Sequence, residues 1–497
     1  MKRQIVLNAL TTVGQTIASA VVLFFLYRFL IRTIGMDRLG IWSLVLATTS
    51  IVTLANQGFG TSIVKFVAQY AARGRTNDVS ALMQTALIST CAALALVSVG
   101  LYPAARWALH IVLPASRFVE ANAILPLALV SLWLNVLEGL LQAGFAGHEL
   151  ITVCNYLEVA GALSYLLLVF WLVPKHGLLG LAYAQSIQAA AILVITWLLL
   201  RKRVPALPII PYRWSRALFL EMASYGLHFQ LITLSQALRE PVTKLLIAKF
   251  GGLALTGIYE MAARAVFTLR EVIVQANQVL VPTISRLKER DPASIPALYR
   301  ESYRLVCFLA FPAFALLTAL SPLISRIWIG RYEAAFVEFV GILSAGWLIN
   351  VLSNPAYIVD LGVGALSWVS IGCVTTALLN VILGSVAGKY MGGVAVAAAC
   401  AFSLACGYCI IVVAYHIQNR APFTQLFPRE NAAIMVTSIA GPLIFLPLFR
   451  GLPARSLLSV DVAAVIATAL TVIVLIPMWT HPMRKRVLQL VFSRVYA

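Results

Sequence analysis

The chain has 497 residues, 61% of them hydrophobic and only 11% charged, with 37 Lys and Arg against 18 Asp and Glu. Soluble domains carry roughly 25% charged residues, so these cannot coat a soluble protein of this length, and lipid must replace much of the solvent. The net charge of +19 has two readings, basic cytoplasmic loops or a cationic interior for an anionic substrate. A nucleic-acid module is excluded, because the basic residues do not gather in one soluble, aromatic-interleaved segment.

A helical span needs about 20 apolar residues. Candidates in chain order are 8–30, 41–58, 79–102, 121–145, 151–173 and 178–200, followed by a basic loop at 201–216. A second series runs 217–238, 253–281, 303–324, 335–361, 368–388 and 392–416, with a last pair at 431–449 and 458–479. The pattern predicts an all-α polytopic membrane protein of about 14 spans. Its expected organisation is a six-helix bundle at 1–200, a cytoplasmic linker at 201–216, a second bundle at 217–416 and a helix pair with a basic tail at 417–497. The first hydrophobic stretch contains Arg28 and shows no small-residue cleavage site before it, so it reads as an uncleaved span. The longest expected outer loop is 103–120.

With the N-terminus inside, cytoplasmic loops hold about 21 Lys and Arg and outer loops about 11. Arg73, Arg75, Arg201, Lys202, Arg203, Arg286, Arg290, Arg484 and Arg486 belong to the inner set. Both termini are therefore expected in the cytoplasm. An internal repeat supports two halves: Gly35 and Gly40-Ile41-Trp42 follow the first span, and Gly252 and Gly257-Ile258-Tyr259 follow the seventh. Six intervening spans give the halves the same orientation, related by an axis along the membrane normal.

Ionisable residues within spans are costly and are candidates for function. Arg28 lies near the end of the first span, where an Arg can also snorkel to the interface. Arg239, Glu240 and Lys244 lie at the outer end of the seventh, with Glu240 and Lys244 spaced to pair on one face. In the eighth span Glu260, Arg264 and Glu271 share a face, Arg270 sits beside them, and Gln275, Asn277 and Gln278 follow. Asn135, Glu138 and Gln142 line one face of the fourth span. In the tenth, Asn350, Asn354, Pro355 and Asp360 form a polar stretch with an expected proline break. Such helices must face a water-filled path or an interhelical network. Glu138 and Asp360 are candidate carriers of a coupling proton or cation.

Catalytic and cofactor signals are lacking. Among five Asp residues no Asp-x-Asp occurs, and no nucleotide loop, zinc helix or nucleophile elbow is present. Cys406 and Cys409 match C-x-x-C inside an apolar run without a βαβ context, and read as packing residues. No metal or cofactor is implied.

Several segments in order carry a resemblance. They are Arg28-Phe-Leu-Ile-Arg-Thr-Ile-Gly35 through Trp42, Asn56-Gln-Gly-Phe-Gly60 running on to Lys65 and Gly74, Gln142-Ala-Gly-Phe-Ala146 before Asn155-Tyr-Leu-Glu158, Gly257-Ile-Tyr259 leading to Val281-Pro-Thr-Ile-Ser285, and Gly392-Gly-Val-Ala395. In this order the chain resembles the polysaccharide-transporter family of oligosaccharide flippases, the Wzx type, within the superfamily that also holds MATE exporters and the lipid II flippase. The resemblance implies two six-helix bundles alternating access around a cationic cavity. The implied cargo is a polyprenyl-diphosphate-linked oligosaccharide for O-antigen, capsule or exopolysaccharide synthesis, moved to the periplasmic leaflet of a bacterial inner membrane. The bilayer and other polysaccharide assembly proteins are the implied partners, with a proton or sodium ion as coupling ion. The diphosphate would meet Arg28, Arg264 and Arg270, with Arg239 and Lys244 as further basic candidates. Two alternatives stay open at this point: a MATE-like ion-coupled drug antiporter, and a membrane-embedded polysaccharide polymerase or ligase.

Overall fold

The computed structural model describes residues 2–50, 54–148, 150–227, 230–278, 284, 287–288, 291–450, 471–473 and 475–484. These are 91% helical with no strand. Among them, nine helices are long and apolar enough to cross a membrane, and Ala432–Ile444 and Thr471–Thr480 are shorter apolar helices. The chain is a multi-pass α-helical membrane protein. It divides into two compact units, Met1–Gly257 and Ile258–Ala497.

The first unit contains α1 (Lys2–Thr33), α2 (Gly35–Ser50), α3 (Leu54–Ala72), α4 (Thr76–Val112), α5 (Ala115–Gly147), α6 (Ile151–Arg203), α7 (Arg216–Leu227) and the start of α8 (Gln230–Gln278). The outer loop expected at 103–120 is helical instead. Helix α4 runs on through Pro103, and only Leu113 and Pro114 separate it from α5. Ion pairs fix this corner: Arg117 reaches Asp37 at 3.4 Å and Glu120 at 3.5 Å, and Arg38 reaches Glu120 at 3.2 Å. The fifth and sixth expected spans likewise need no loop. Within α6 the chain turns at Gly177 (φ 57°, ψ −130°).

The repeated glycines touch. A Cβ on Gly40 would lie 2.0 Å from the backbone oxygen of Leu253, and one on Gly257 would lie 2.6 Å from that of Met36. Only hydrogen side chains allow α2 and α8 to approach this closely. Just before, Gly252 (φ 83°, ψ 175°) turns α8 through a conformation closed to L side chains.

The basic linker is strapped to α4. Gln84 Oε1 accepts the backbone N–H of Tyr212 and Arg213, both at 3.1 Å, and Thr85 Oγ1 accepts that of Ser215 at 3.2 Å. Ser80 donates to the Ala206 carbonyl at 2.9 Å. These polar α4 side chains sit against a buried core that includes Phe66, Leu82, Met83, Leu140 and Leu207.

The second unit holds the rest of α8, α9 (Ile295–Trp328), α10 (Ala334–Val363), α11 (Ser367–Met391), α12 (Gly393–Gln418) and α13 (Ala432–Arg450). Helix α10 passes straight through Pro355, where a break was expected. The proline is buried among neighbouring helices, a setting in which membrane helices absorb one lost N–H. The helix ends instead at Gly364 (φ 82°), with the Ala365 N–H on the Asp360 carbonyl at 2.8 Å. Small residues let helices approach here too: a Cβ on Gly346 would lie 2.8 Å from the Ala401 Cα.

Candidate substrate and ion sites

In the second unit the polar face of α8 separates two arginines. Arg264 Nε donates to Glu260 Oε1 at 2.8 Å, and the side chains are 43% and 5% exposed respectively. A buried carboxylate therefore pairs with a guanidinium that is partly exposed. Arg270 is held on several sides. It pairs with Glu271, its Nε donates to Asn350 Oδ1 at 3.0 Å, and its guanidinium lies over the Trp347 ring, 5.0 Å from the centroid. Phe267 packs edge-on against that ring at 4.9 Å. Helical spacing allowed Glu271 to serve either arginine; the structure pairs it with the adjacent Arg270.

In the first unit a cavity of about 260 Å³ is lined by Ser19, Glu138, Gln142, Glu158, Tyr165 and Gln188, among others. Glu138 accepts from the Gln142 amide on its own helix, α5. Glu158, about two turns into α6, accepts from Gln15 of α1 at 2.6 Å. Asn155 donates to Thr11 and Thr12, both at 3.0 Å, so α1 and α6 are joined by a polar ladder. Glu158, Gln188 and Gln15 were not singled out as site residues from the sequence. Glu158 is an intramembrane carboxylate, and that rule alone would have found it; Gln15 and Gln188 gain their place only by packing.

The other candidates are dispersed. Arg28 is half-buried on α1 and makes no ion pair among the described residues. Lys244 is buried and paired with Glu240 at 2.6 Å, while Arg239 is half-buried nearby on α8. Asn135 is exposed on α5. Asn354 is buried and its Oδ1 has no hydrogen-bond partner among the described residues. Asp360 is 6% exposed near the end of α10. The side chains of Gln275, Asn277 and Gln278 lie outside the described residues. Among the described residues no group of three or more His, Cys, Asp or Glu is placed to hold a metal ion.

A family model described as polysaccharide biosynthesis protein matches residues 29–336, more than half of the chain. The chain belongs to this family. No curated protein matches it. Among solved structures, the inward-facing conformation of a multidrug resistance MATE transporter of the MOP superfamily superposes with a TM-score of 0.70 at 14% identity, covering 82% of this chain and 98% of that one. The lipid II flippase MurJ, in an inward closed conformation, gives 0.70 at 11% identity over 94% and 98%. A MOP superfamily transporter from Pyrococcus furiosus, described by the reverse polarity of its binding pocket, gives 0.54 at 14% identity over 85% and 94%. At these identities the likeness shows the fold. This member of the polysaccharide biosynthesis family therefore has the MOP fold, as the sequence resemblance implied.

Proposed function

We propose that the protein is a flippase that moves a polyprenyl-diphosphate-linked oligosaccharide across a bacterial inner membrane by alternating access. The single observation that carries this reading is Arg264, a partly exposed guanidinium on a membrane-embedded helix, paired with the buried Glu260. An Arg fork grips phosphate oxygens by two parallel bonds. Family membership supports a polysaccharide precursor as cargo, and fold relatives that include a lipid II flippase support transport. Arg28, in the first unit, is assigned as a further basic residue for an anionic cargo, and Arg270, more tightly held, as a positioning residue. Both termini are cytoplasmic in this reading, which reporter fusions after Arg216 and at Ala497 would test.

The test is reconstitution. Proteoliposomes containing the purified chain should move a polyprenyl-diphosphate oligosaccharide between leaflets, and the gene should restore surface polysaccharide in a flippase-null strain. Failure of both, with well-inserted protein, removes the reading.

One observation favours a second reading. The Glu138 and Glu158 cavity suits a cation or proton, as a MATE-like antiporter would need. Within the flippase reading the same cavity serves as the coupling site. Export of cationic dyes without lipid movement would decide for the antiporter.

A further inference from the structure

A second polar cavity, remote in sequence from the α8 arginines, lies in the second unit where the start of α9 meets the segment joining α12 to α13. Its volume is about 680 Å³, within the roughly 300–1,000 Å³ typical of small-molecule sites. We propose that it docks the phosphate of an anionic lipid at the membrane surface.

The floor is aromatic and fixed. Tyr299 and Tyr303 are 2% and 5% exposed. The Tyr299 hydroxyl bonds His416 Nε2 at 2.9 Å, and the Tyr303 hydroxyl donates to the Leu426 carbonyl at 3.2 Å. Above them Arg300 and Arg304 stand one turn apart on α9, both exposed. Glu430 is the acidic group in the lining, and it holds Arg304 only loosely, at 3.8 Å with both side chains nearly half exposed. Arg300 makes no ion pair among the described residues; its Nε reaches the Pro296 carbonyl at 3.4 Å. Two guanidiniums thus face one carboxylate, with Thr424 and Gln425 adding neutral donors.

The depth of the cavity follows from its neighbours. The segment between Gln418 and Ala432 joins the ends of two apolar helices, so it lies at the bilayer boundary. It folds as two short 3-10 turns and presents Phe423 and Phe427 outward, 48% and 70% exposed. Exposed apolar side chains beside arginines suit the headgroup boundary, and basic pockets between helices there bind lipid head groups. The guanidiniums would take the phosphate oxygens, and the chains would run along Phe427 into the hydrocarbon. A merely solvated basic loop accounts for the arginines. It does not account for the outward Phe427 or for a cavity floored by two anchored tyrosines.

The phosphate can come from a bulk anionic lipid or from a polyprenyl diphosphate carrier, and the test separates them. The dock goes beyond the flippase reading, because its lipid binding is measured without transport. The purified full chain is titrated in native mass spectrometry with phosphatidylglycerol, polyprenyl diphosphate and phosphatidylcholine. The wild type should retain an anionic lipid, whose phosphate charge is not offset by a choline cation, in preference to zwitterionic phosphatidylcholine. The Arg300→Gln/Arg304→Gln double variant should lose about ten- to a hundredfold in that affinity, and Arg300→Lys/Arg304→Lys should keep part of it. Loss with phosphatidylglycerol identifies a resident membrane lipid; loss confined to polyprenyl diphosphate identifies a carrier dock. Unchanged affinities in a monodisperse Gln variant overturn the proposal, as does an equal loss with phosphatidylcholine. Should the Gln variant fail to fold, Phe427→Ser provides the second measurement: weaker retention of the anionic lipid supports the dock, and unaltered retention overturns it.

Discussion

The polar interior of the first unit is organised around two carboxylates, Glu138 and Glu158, and that of the second around two arginines, Arg264 and Arg270. Each carboxylate accepts from a neutral amide, Glu138 from Gln142 and Glu158 from Gln15, and Gln188 lines the same cavity. The arginines are instead balanced by acids on their own helix. The difference has an electrostatic consequence. A carboxylate ringed by neutral donors keeps its capacity for a small cation or proton. An arginine resting on a carboxylate can exchange that partner for an arriving anion without leaving a bare buried charge, the costly alternative. The two units are thus suited to opposite charges, and neither set of groups belongs to a metal or nucleotide chemistry visible in the sequence.

The largest effect is expected at Arg264. Losing one charge-assisted contact to a diphosphate costs about 1.5–3 kcal/mol, roughly ten- to a hundredfold in binding. Arg264→Ala should therefore abolish or sharply reduce complementation at normal protein level, and Arg264→Lys should retain part of it. A purely structural salt bridge predicts loss of folded protein instead, restored by adding Glu260→Gln. Immunoblots and surface-polysaccharide yield on the single and double variants distinguish the two outcomes.

Next come the carboxylates. If the first unit carries the coupling ion, Glu138→Gln and Glu158→Gln should lower export several-fold and flatten its dependence on proton and sodium gradients. Normal gradient dependence in both variants would dissolve the contrast between the units. A smaller effect is expected at Arg270. Its removal deprives Asn350 of a donor and Trp347 of a cation, at about 1–3 kcal/mol together. Arg270→Ala should lower the detergent melting temperature more than Arg264→Ala does, while reducing export less. A reversal of that order would exchange the roles of the two arginines. The smallest effect is expected outside both interiors. Gln84→Ala removes the acceptor for two backbone N–H groups of the linker, about 1 kcal/mol for each bond. Hydrogen exchange at Tyr212 and Arg213 should accelerate while export stays unchanged.

Particular residues show how far the sequence could be read. Glu138 and Arg264 were legible because an ionisable group inside an apolar span is conspicuous whatever surrounds it. Trp347 and Gln188 were not, because an aromatic or an amide in a span gains meaning only from what packs against it. Glu271 had two possible partners by spacing, and rotamer and packing chose Arg270. Pro355 read as a break, yet buried neighbours carry α10 past it.

The sequence by itself determined the all-α membrane class, the approximate spans within the described residues (the last expected one, 458–479, lies mostly outside them) and the repeated glycines, because hydrophobic length and turn chemistry are local properties of the chain. Tertiary structure decided that Gly40 meets Leu253 and Gly257 lies against Met36, that residues 103–112 stay helical, that the linker is bound to α4, and that Glu138 and Glu158 share a cavity. Each of these depends on which helices become neighbours. Pairing between side chains far apart in the chain is fixed by packing, and the pattern of one segment does not contain it.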